Sequence, residues 1–231
     1  FKLLDILYKK EFVLFVVLVS ILIINSNISP YFLDLYNLID STFLFSEKAI
    51  IALTMTFVII ARQIDLSVAS IIAVSSVVLG YTTSLGYDTW LVLLLTLLSG
   101  ALCGAFNGAI ITKFAIPSII VTIGTMSLFR GLAYSFLEDS YYNKFPKLVG
   151  KLGGGYLYGY IPYAFLTFIL LAFVFAFILH KTSVGKKIYS IGNNPDAAQY
   201  TGIAVDKYTF VLFTLHGLFS ALAALFLSGS R

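Results

Sequence analysis

The apolar residues of this chain fall in long blocks that polar residues punctuate, rather than in the alternation of a half-buried strand. A hydrocarbon core of about 30 Å takes around 20 apolar helical residues to cross, so each block is a candidate crossing. In order the blocks cover residues 12–28, 49–61, 67–85, 89–111, 116–136, 161–179 and 208–228. They predict an all-α polytopic membrane protein of about seven transmembrane helices with short loops. The whole of 1–231 reads as one transmembrane domain.

The interruptions carry the rest of the pattern. Residues 25–48 hold Pro30, Asp34, Asp40 and Glu47 and read as an outer segment, with a short amphipathic piece at 31–44. Arg62, Gln63 and Asp65 separate the second block from the third. Tyr87, Asp88 and Trp90 form an interfacial turn, where aromatic belts are expected. Pro117, Gly124 and Gly131 mark the fifth block as interrupted. Residues 138–160 read as a polar outer loop, with Glu138, Lys144, Lys147, Lys151, three consecutive glycines at 153–155, and Tyr141, Tyr142, Tyr156, Tyr158 and Tyr160.

One polar stretch reads as a small structure of its own: KTSVGKKIYSIGNNPDAAQYTGIAVDK, residues 181–207. Asn194 caps a helix, Pro195 suits its first position, Asp196 sits favourably in its first turn, and Gly202 ends it in a left-handed conformation. The expected helix has about two turns, roughly 10 Å. Lys181, Lys186, Lys187 and Lys207 flank it, a bias of loops kept in the cytoplasm. A short capped helix there is a handle for a partner.

Helix packing leaves its own signature in the fourth block. Gly100, Gly104 and Gly108 recur every fourth residue, with Ala101, Ala105 and Ala109 beside them. Each set forms one ridge along which a neighbouring helix can approach closely.

Composition agrees with the pattern. Hydrophobic residues make up 59% of the chain and charged residues 11%, with mean hydropathy +0.96, which no soluble domain resembles. The net charge of +4 is too small to argue for nucleic acid. With a cytoplasmic N-terminus and seven crossings, nine Lys and Arg residues fall inside (Lys2, Lys9, Lys10, Arg62, Lys113, Lys181, Lys186, Lys187 and Lys207). Five fall outside, and Arg130 lies within a span. The N-terminal lysines stand beside Asp5 and Glu11. Cys103 is the only cysteine and lies in an apolar run, which rules out a disulfide within the chain. No small-residue cleavage pattern follows residues 12–24, so that run is read as a membrane helix rather than a signal peptide.

Few residues offer chemistry. Asp65, Asn107, Thr122, Thr125 and Arg130 are the substrate-pathway candidates. Arg62 and Asp65 are three apart and could pair on a helix, either near a pathway or at the inner end of a short helix with Asp65 capping the next one. Asn107 suits either an interhelical hydrogen bond or a ligand contact, and Arg130 can snorkel to the outer interface. Thr122, Thr125 and Ser127 place hydroxyls around Gly124, facing a polar cavity or bonding back to their own helix. Enzyme signatures are missing: no phosphate-binding GxxxxGK[ST] loop, no HExxH with only His180 and His216, and no GxSxG elbow. His216 is expected to be a packed, neutral side chain. No cofactor or metal is implied, and any energy from ATP must come through another chain.

Three stretches together resemble the permease subunits of ABC-type sugar importers, the group that includes ribose, rhamnose and autoinducer-2 permeases. The first is Ile64-Asp65-Leu66-Ser67-Val68 with Ser70-Ile71. The second is Phe106-Asn107-Gly108 leading to residues 116–125, IPSIIVTIGT, and Phe129-Arg130-Gly131. The third runs from Thr182 to Gly202 and contains Gly185-Lys186-Lys187-Ile188-Tyr189, Ile191-Gly192-Asn193-Asn194, Ala197-Ala198 and Gly202-Ile203.

The resemblance implies a multi-pass permease of the bacterial inner membrane, in contact with membrane lipid. Its implied partners are a second permease subunit in a homo- or heterodimer, two ATP-binding subunits and a periplasmic sugar-binding protein. It also implies that residues 180–207 form the loop that couples to the ATPase, through Gly185, Asn194, Pro195, Ala197, Ala198 and Gly202. The family places glycines where this chain has Arg62-Gln63 and Ala69, a departure closest to rhamnose-type permeases, so rhamnose is the expected sugar. Family members continue through roughly three more apolar segments after Arg231, so the chain is expected to be a fragment or a short form. The competing expectation is a secondary carrier or channel for small polar solutes, marked by inverted repeats and paired broken helices.

Overall fold

Asp34 opens one of the two 26-residue helices by accepting a hydrogen bond from the Asn37 amide, an N-cap that fixes where the chain turns into the bundle. The computed structural model describes residues 10–137, 142 and 144–230. The expectations at Lys2, Asp5, Lys9, Glu138, Tyr141 and Arg231 lie outside the described residues.

The chain is helical almost throughout: α1 (Lys10–Ile28), α2 (Leu35–Ile60), α3 (Val68–Ser84), α4 (Thr89–Phe114) and α5 (Ser118–Leu137). A short α6 (Lys147–Gly154) and a two-stranded hairpin, β1 (Tyr156–Leu157) and β2 (Ile161–Pro162), lead to α7 (Tyr163–Lys181). Then come α8 (Ser183–Asn193), α9 (Pro195–Tyr200) and α10 (Val205–Gly229). Four of these, α4, α5, α7 and α10, are each long and apolar enough to cross a membrane, and the bent α2 makes a fifth. Apolar helices also fill the blocks at α1 and α3, but they are shorter.

Burial is inverted relative to a water-soluble protein. Serines, threonines, Asp65, Asn107 and His216 are buried, while Leu, Ile, Val and Phe side chains cover the outside of α1, α5 and α7. Lipid rather than water is the solvent that such a surface satisfies. The fold is therefore an all-α polytopic membrane protein.

Helix α10 is the centre, touching α2, α3, α4 and α6. Its approach to α4 uses the predicted glycine ridge: Gly100, Gly104 and Gly108 are buried against Phe213, Gly217, Ala221 and Phe210. With no side chain between them, the two backbones come into contact. The parallel alanine ridge does not do the same, for Ala109 is exposed and Ala101 and Ala105 only half-buried.

Three expectations need correction. The piece expected at 31–44 is not a short element of its own: residues 35–48 are the first part of α2, whose two arms, Leu35–Phe43 and Phe45–Ile60, meet at 53°. The hydroxyls of Ser41, Thr42 and Ser46 donate back to carbonyls of the preceding turn on both sides of that bend, a habit that bends helices. Block five is not interrupted: α5 runs straight through Gly124 and Gly131. Residues 144–160 are not loop alone, since α6 buries Val149 and packs on the end of α10. There the Tyr156 phenol donates to the Asp40 carboxylate, a bond that with partial burial pushes the phenol up to about 12.

Candidate functional site

Between α2 and α3 the helix is broken over residues 61–67, with Ala61, Asp65 and Ser67 buried and Arg62, Ile64 and Leu66 exposed. The break begins at Arg62, whose φ of 60° is left-handed. Gln63 N–H bonds the Val58 carbonyl and Arg62 N–H the Ile59 carbonyl, the pairing of a Schellman stop that normally has glycine at its left-handed position. An arginine there costs about 1 kcal/mol that glycine does not. Arg62→Gly is accordingly expected to raise stability by about 1 kcal/mol, measured as a shift in the denaturation midpoint.

The opened backbone is satisfied by α5. Ile64 N–H donates to Ser118 Oγ at 3.0 Å, and Thr122 Oγ donates to the Ile64 carbonyl at 3.3 Å. Non-helical backbone is tolerated in a membrane protein where protein groups replace the lost helix bonds in this way.

Past the break, Asp65 is 1% exposed and turned into the core. Its Oδ1 accepts from Ser67 N–H at 2.8 Å and from Ser67 Oγ at 2.6 Å. Ser67 Oγ in turn accepts from Asn107 Nδ2 on α4 at 2.8 Å. The other carboxylate oxygen lies 3.8 Å from His216 Nε2 on α10, and His216 Nδ1 is 2.8 Å from Thr54 Oγ1 on α2. Four elements thus meet in one buried polar chain: Thr54, His216, Asp65, Ser67, Asn107. Asp65 Oδ2, Asn107 Oδ1, His216 Nε2 and Ser70 Oγ have no hydrogen-bond partner among the described residues. All four atoms are fully buried, so a carboxylate oxygen, an amide oxygen, a hydroxyl and an imidazole nitrogen could bond a hydroxylated solute only once the surrounding helices part.

The pathway candidates are therefore only partly brought together. Asp65 and Asn107 share the polar chain, and Thr122 holds its backbone. Thr125, though buried, bonds back to the Thr122 carbonyl, and Ser127 is exposed. Arg130 is exposed and stands apart. Arg62 is exposed too and is not paired on a helix with Asp65, whose carboxylate lies beside His216 instead. His216, Thr54 and Ser67 are site residues that the sequence does not mark; a lone histidine in an apolar run carries no local signal beyond packing.

At the other end of α10 stands the predicted handle. Asn194 Oδ1 accepts from Ala197 N–H at 3.0 Å, Pro195 takes the first position, and Gly202 has φ +85°. The handle is a hairpin, since α8 precedes α9 and is capped by Thr182, whose hydroxyl accepts from Gly185 N–H. Gly192 lies so close to the Ile60 carbonyl that no side chain fits between, which seats α8 on the end of α2. Ala198 is 4% exposed and packs with Ala61, Ile188, Ile191 and Leu212, so it fixes α9 to the bundle and does not face a partner. The free face carries Asp196, Ala197, Gln199 and Tyr200, and Tyr200 is 92% exposed.

The family model described as "branched-chain amino acid transport system / permease component" matches residues 37–230. The autoinducer 2 import system permease protein LsrD of Klebsiella pneumoniae is 32% identical over 93% of this chain and 66% of its own length. For the ribose import permease protein RbsC of Haemophilus influenzae the figures are 34%, 91% and 66%, and for an autoinducer 2 permease protein LsrC of Escherichia coli 34%, 76% and 51%. The chain spans between about half and two thirds of the length of these curated relatives. No solved structure matches it. With apolar helices packed through a glycine ridge and a family match over most of its length, the chain is a multi-pass membrane protein and belongs to the branched-chain amino acid transport system / permease component family.

Proposed function

We propose that the chain is part of the transmembrane subunit of an ATP-driven importer for a hydroxyl-rich solute of monosaccharide size. The observation that carries this reading is the α8–α9 hairpin, a rigidly seated projection with an exposed tyrosine at one end of the central helix. An aromatic side chain standing almost wholly in solvent is the usual anchor of a protein interface. The relatives' names support the substrate class, being import permeases for ribose and autoinducer 2. Rhamnose remains the sugar suggested by Arg62-Gln63, and uptake of ribose, rhamnose and autoinducer 2 compared side by side decides among them.

In this reading the lysine-flanked hairpin and the N-terminus lie in the cytoplasm, with seven helices crossing the membrane. ATP-binding subunits grip the free face of α9, a second permease subunit completes the pathway, and a periplasmic binding protein delivers the sugar. Closure of the ATP-binding subunits moves the hairpin, and α10 moves with it. His216 lies 11 residues beyond Val205, the first residue of α10, about 17 Å along the helix, so the same motion displaces the imidazole against Asp65. That exchange opens the polar chain to the solute's hydroxyls on one side and closes it on the other.

The test is co-purification of the tagged chain, expressed from its native gene cluster, with mass spectrometry of what accompanies it. An ATP-binding subunit is expected, and Gly202→Pro is expected to remove it. Proline is locked near φ −65° and lacks the N–H that here bonds the Gln199 carbonyl, so the turn into α10 cannot form. A wild-type chain that purifies alone at full yield would sink the reading.

A further inference from the structure

On the hairpin's side of the bundle a cleft of about 650 Å³ opens between α2, α7, α8 and α10. Phe57, Phe175, Val211, Leu215 and Phe219 form its apolar walls, and Thr54 and His216 lie at its inner end. Its mouth is of different character. Lys187 and Lys207 stand there, and among the described residues the lining holds no carboxylate. Lys187 Nζ rests 5.7 Å above the Tyr208 ring, which keeps the ammonium over the opening.

Depth decides what fits. From Lys207 to Phe219 along α10 is about 18 Å at 1.5 Å per residue, and half a hydrocarbon core is about 15 Å. The cleft is therefore one leaflet deep, apolar along its length and cationic at the headgroup end. A sugar would meet apolar walls over most of that depth, and an apolar helix would have no use for the lysines.

We propose that this cleft binds one anionic phospholipid, with an acyl chain between α7 and α10 and the phosphate between Lys187 and Lys207. Basic pockets between transmembrane helices are a recurring way to hold anionic headgroups. Because Gly202 and Ile203 also line the cleft, the bound lipid braces the hairpin against the bundle from beneath. The proposal is independent of the transported solute and of whether the chain transports at all.

Native mass spectrometry tests it on the purified chain, delipidated and then offered phosphatidylglycerol or phosphatidylcholine with identical acyl chains. One phosphatidylglycerol per chain is expected, held about thirtyfold more tightly than phosphatidylcholine, from roughly 1 kcal/mol per lysine. The double variant Lys187→Ala/Lys207→Ala is expected to erase that preference. Both lysines are exposed, so the variant keeps its fold, checked by elution volume and helical circular dichroism. Leu215→Trp, which narrows the slot, is expected to weaken both lipids alike. Equal retention of the two lipids, or an unchanged preference in the double variant, would overturn the proposal. So would competition by glycerol phosphate as effective as that of the intact lipid, since the site would then be one for free phosphate.

Discussion

Gly217→Leu is expected to raise the unfolded-to-folded ratio roughly a hundredfold. A Cβ at position 217 would overlap the Gly100 carbonyl oxygen and lie 2.9 Å from the Gly104 Cα. Those obstacles are backbone, so no rotamer change relieves them and α4 must move away. Overpacking typically costs about 1–3 kcal/mol, and the upper end applies here because α10 is the helix that α2, α3, α4 and α6 share. Denaturation in mixed detergent micelles, followed by circular dichroism, measures it. Gly124→Ala is the control: α5 has open space at that position, and alanine in place of a helical glycine is expected to add about 0.5–1 kcal/mol.

Tyr200→Ala is expected to weaken association with the ATP-binding subunit about thirtyfold or more, the cost of truncating an interface anchor at about 2 kcal/mol. The chain's own fold should be unchanged, because Tyr200 is 92% exposed and packs on nothing in the chain's buried clusters. Ala198→Arg should also abolish coupling, for a different reason: a guanidinium cannot enter the cluster of Ala61, Ile188, Ile191 and Leu212, so α9 lifts off the bundle. Titration of each variant with the isolated ATP-binding subunit, alongside thermal denaturation, separates the two. Tyr200→Ala should lose affinity at constant melting temperature, whereas Ala198→Arg should lose both.

These two predictions rest on features of unequal legibility. The glycine ridge of α4 could be read because four-residue spacing is a local pattern, yet its partner could not be identified, since Gly217 carries no such pattern. In α9 the cap, the proline and the closing glycine all lie within nine residues, and each took its expected place. Its inward face was hidden: nothing local distinguishes Ala197, which is exposed, from Ala198, which is buried. For α8 the sequence does carry a signal. Gly185, Ile188 and Ile191 recur every third residue and form its buried face, but the surrounding Ser, Lys and Gly read as loop.

The polar chain shows the opposite limit. Asp65, Asn107 and Thr122 are polar residues inside apolar blocks, costly enough in a membrane to be conspicuous. What joins them is not local, for Asn107 reaches Ser67 across 40 positions and Thr122 reaches the Ile64 carbonyl across 58. The bend in α2 and the continuity of α5 escape a local reading for a related reason. Hydroxyl back-bonding bends a helix that composition makes look broken, and glycines without a tight neighbour leave a helix intact.

The most direct measurement is uptake of radiolabelled sugar by proteoliposomes holding the full transporter purified from the chain's native gene cluster, with and without internal ATP. Uptake should require hydrolysable ATP, survive collapse of the ion gradients, and fall to background in Tyr200→Ala. Uptake that follows an ion gradient, ignores ATP and persists in Tyr200→Ala would contradict an ATP-coupled permease and establish a secondary carrier instead.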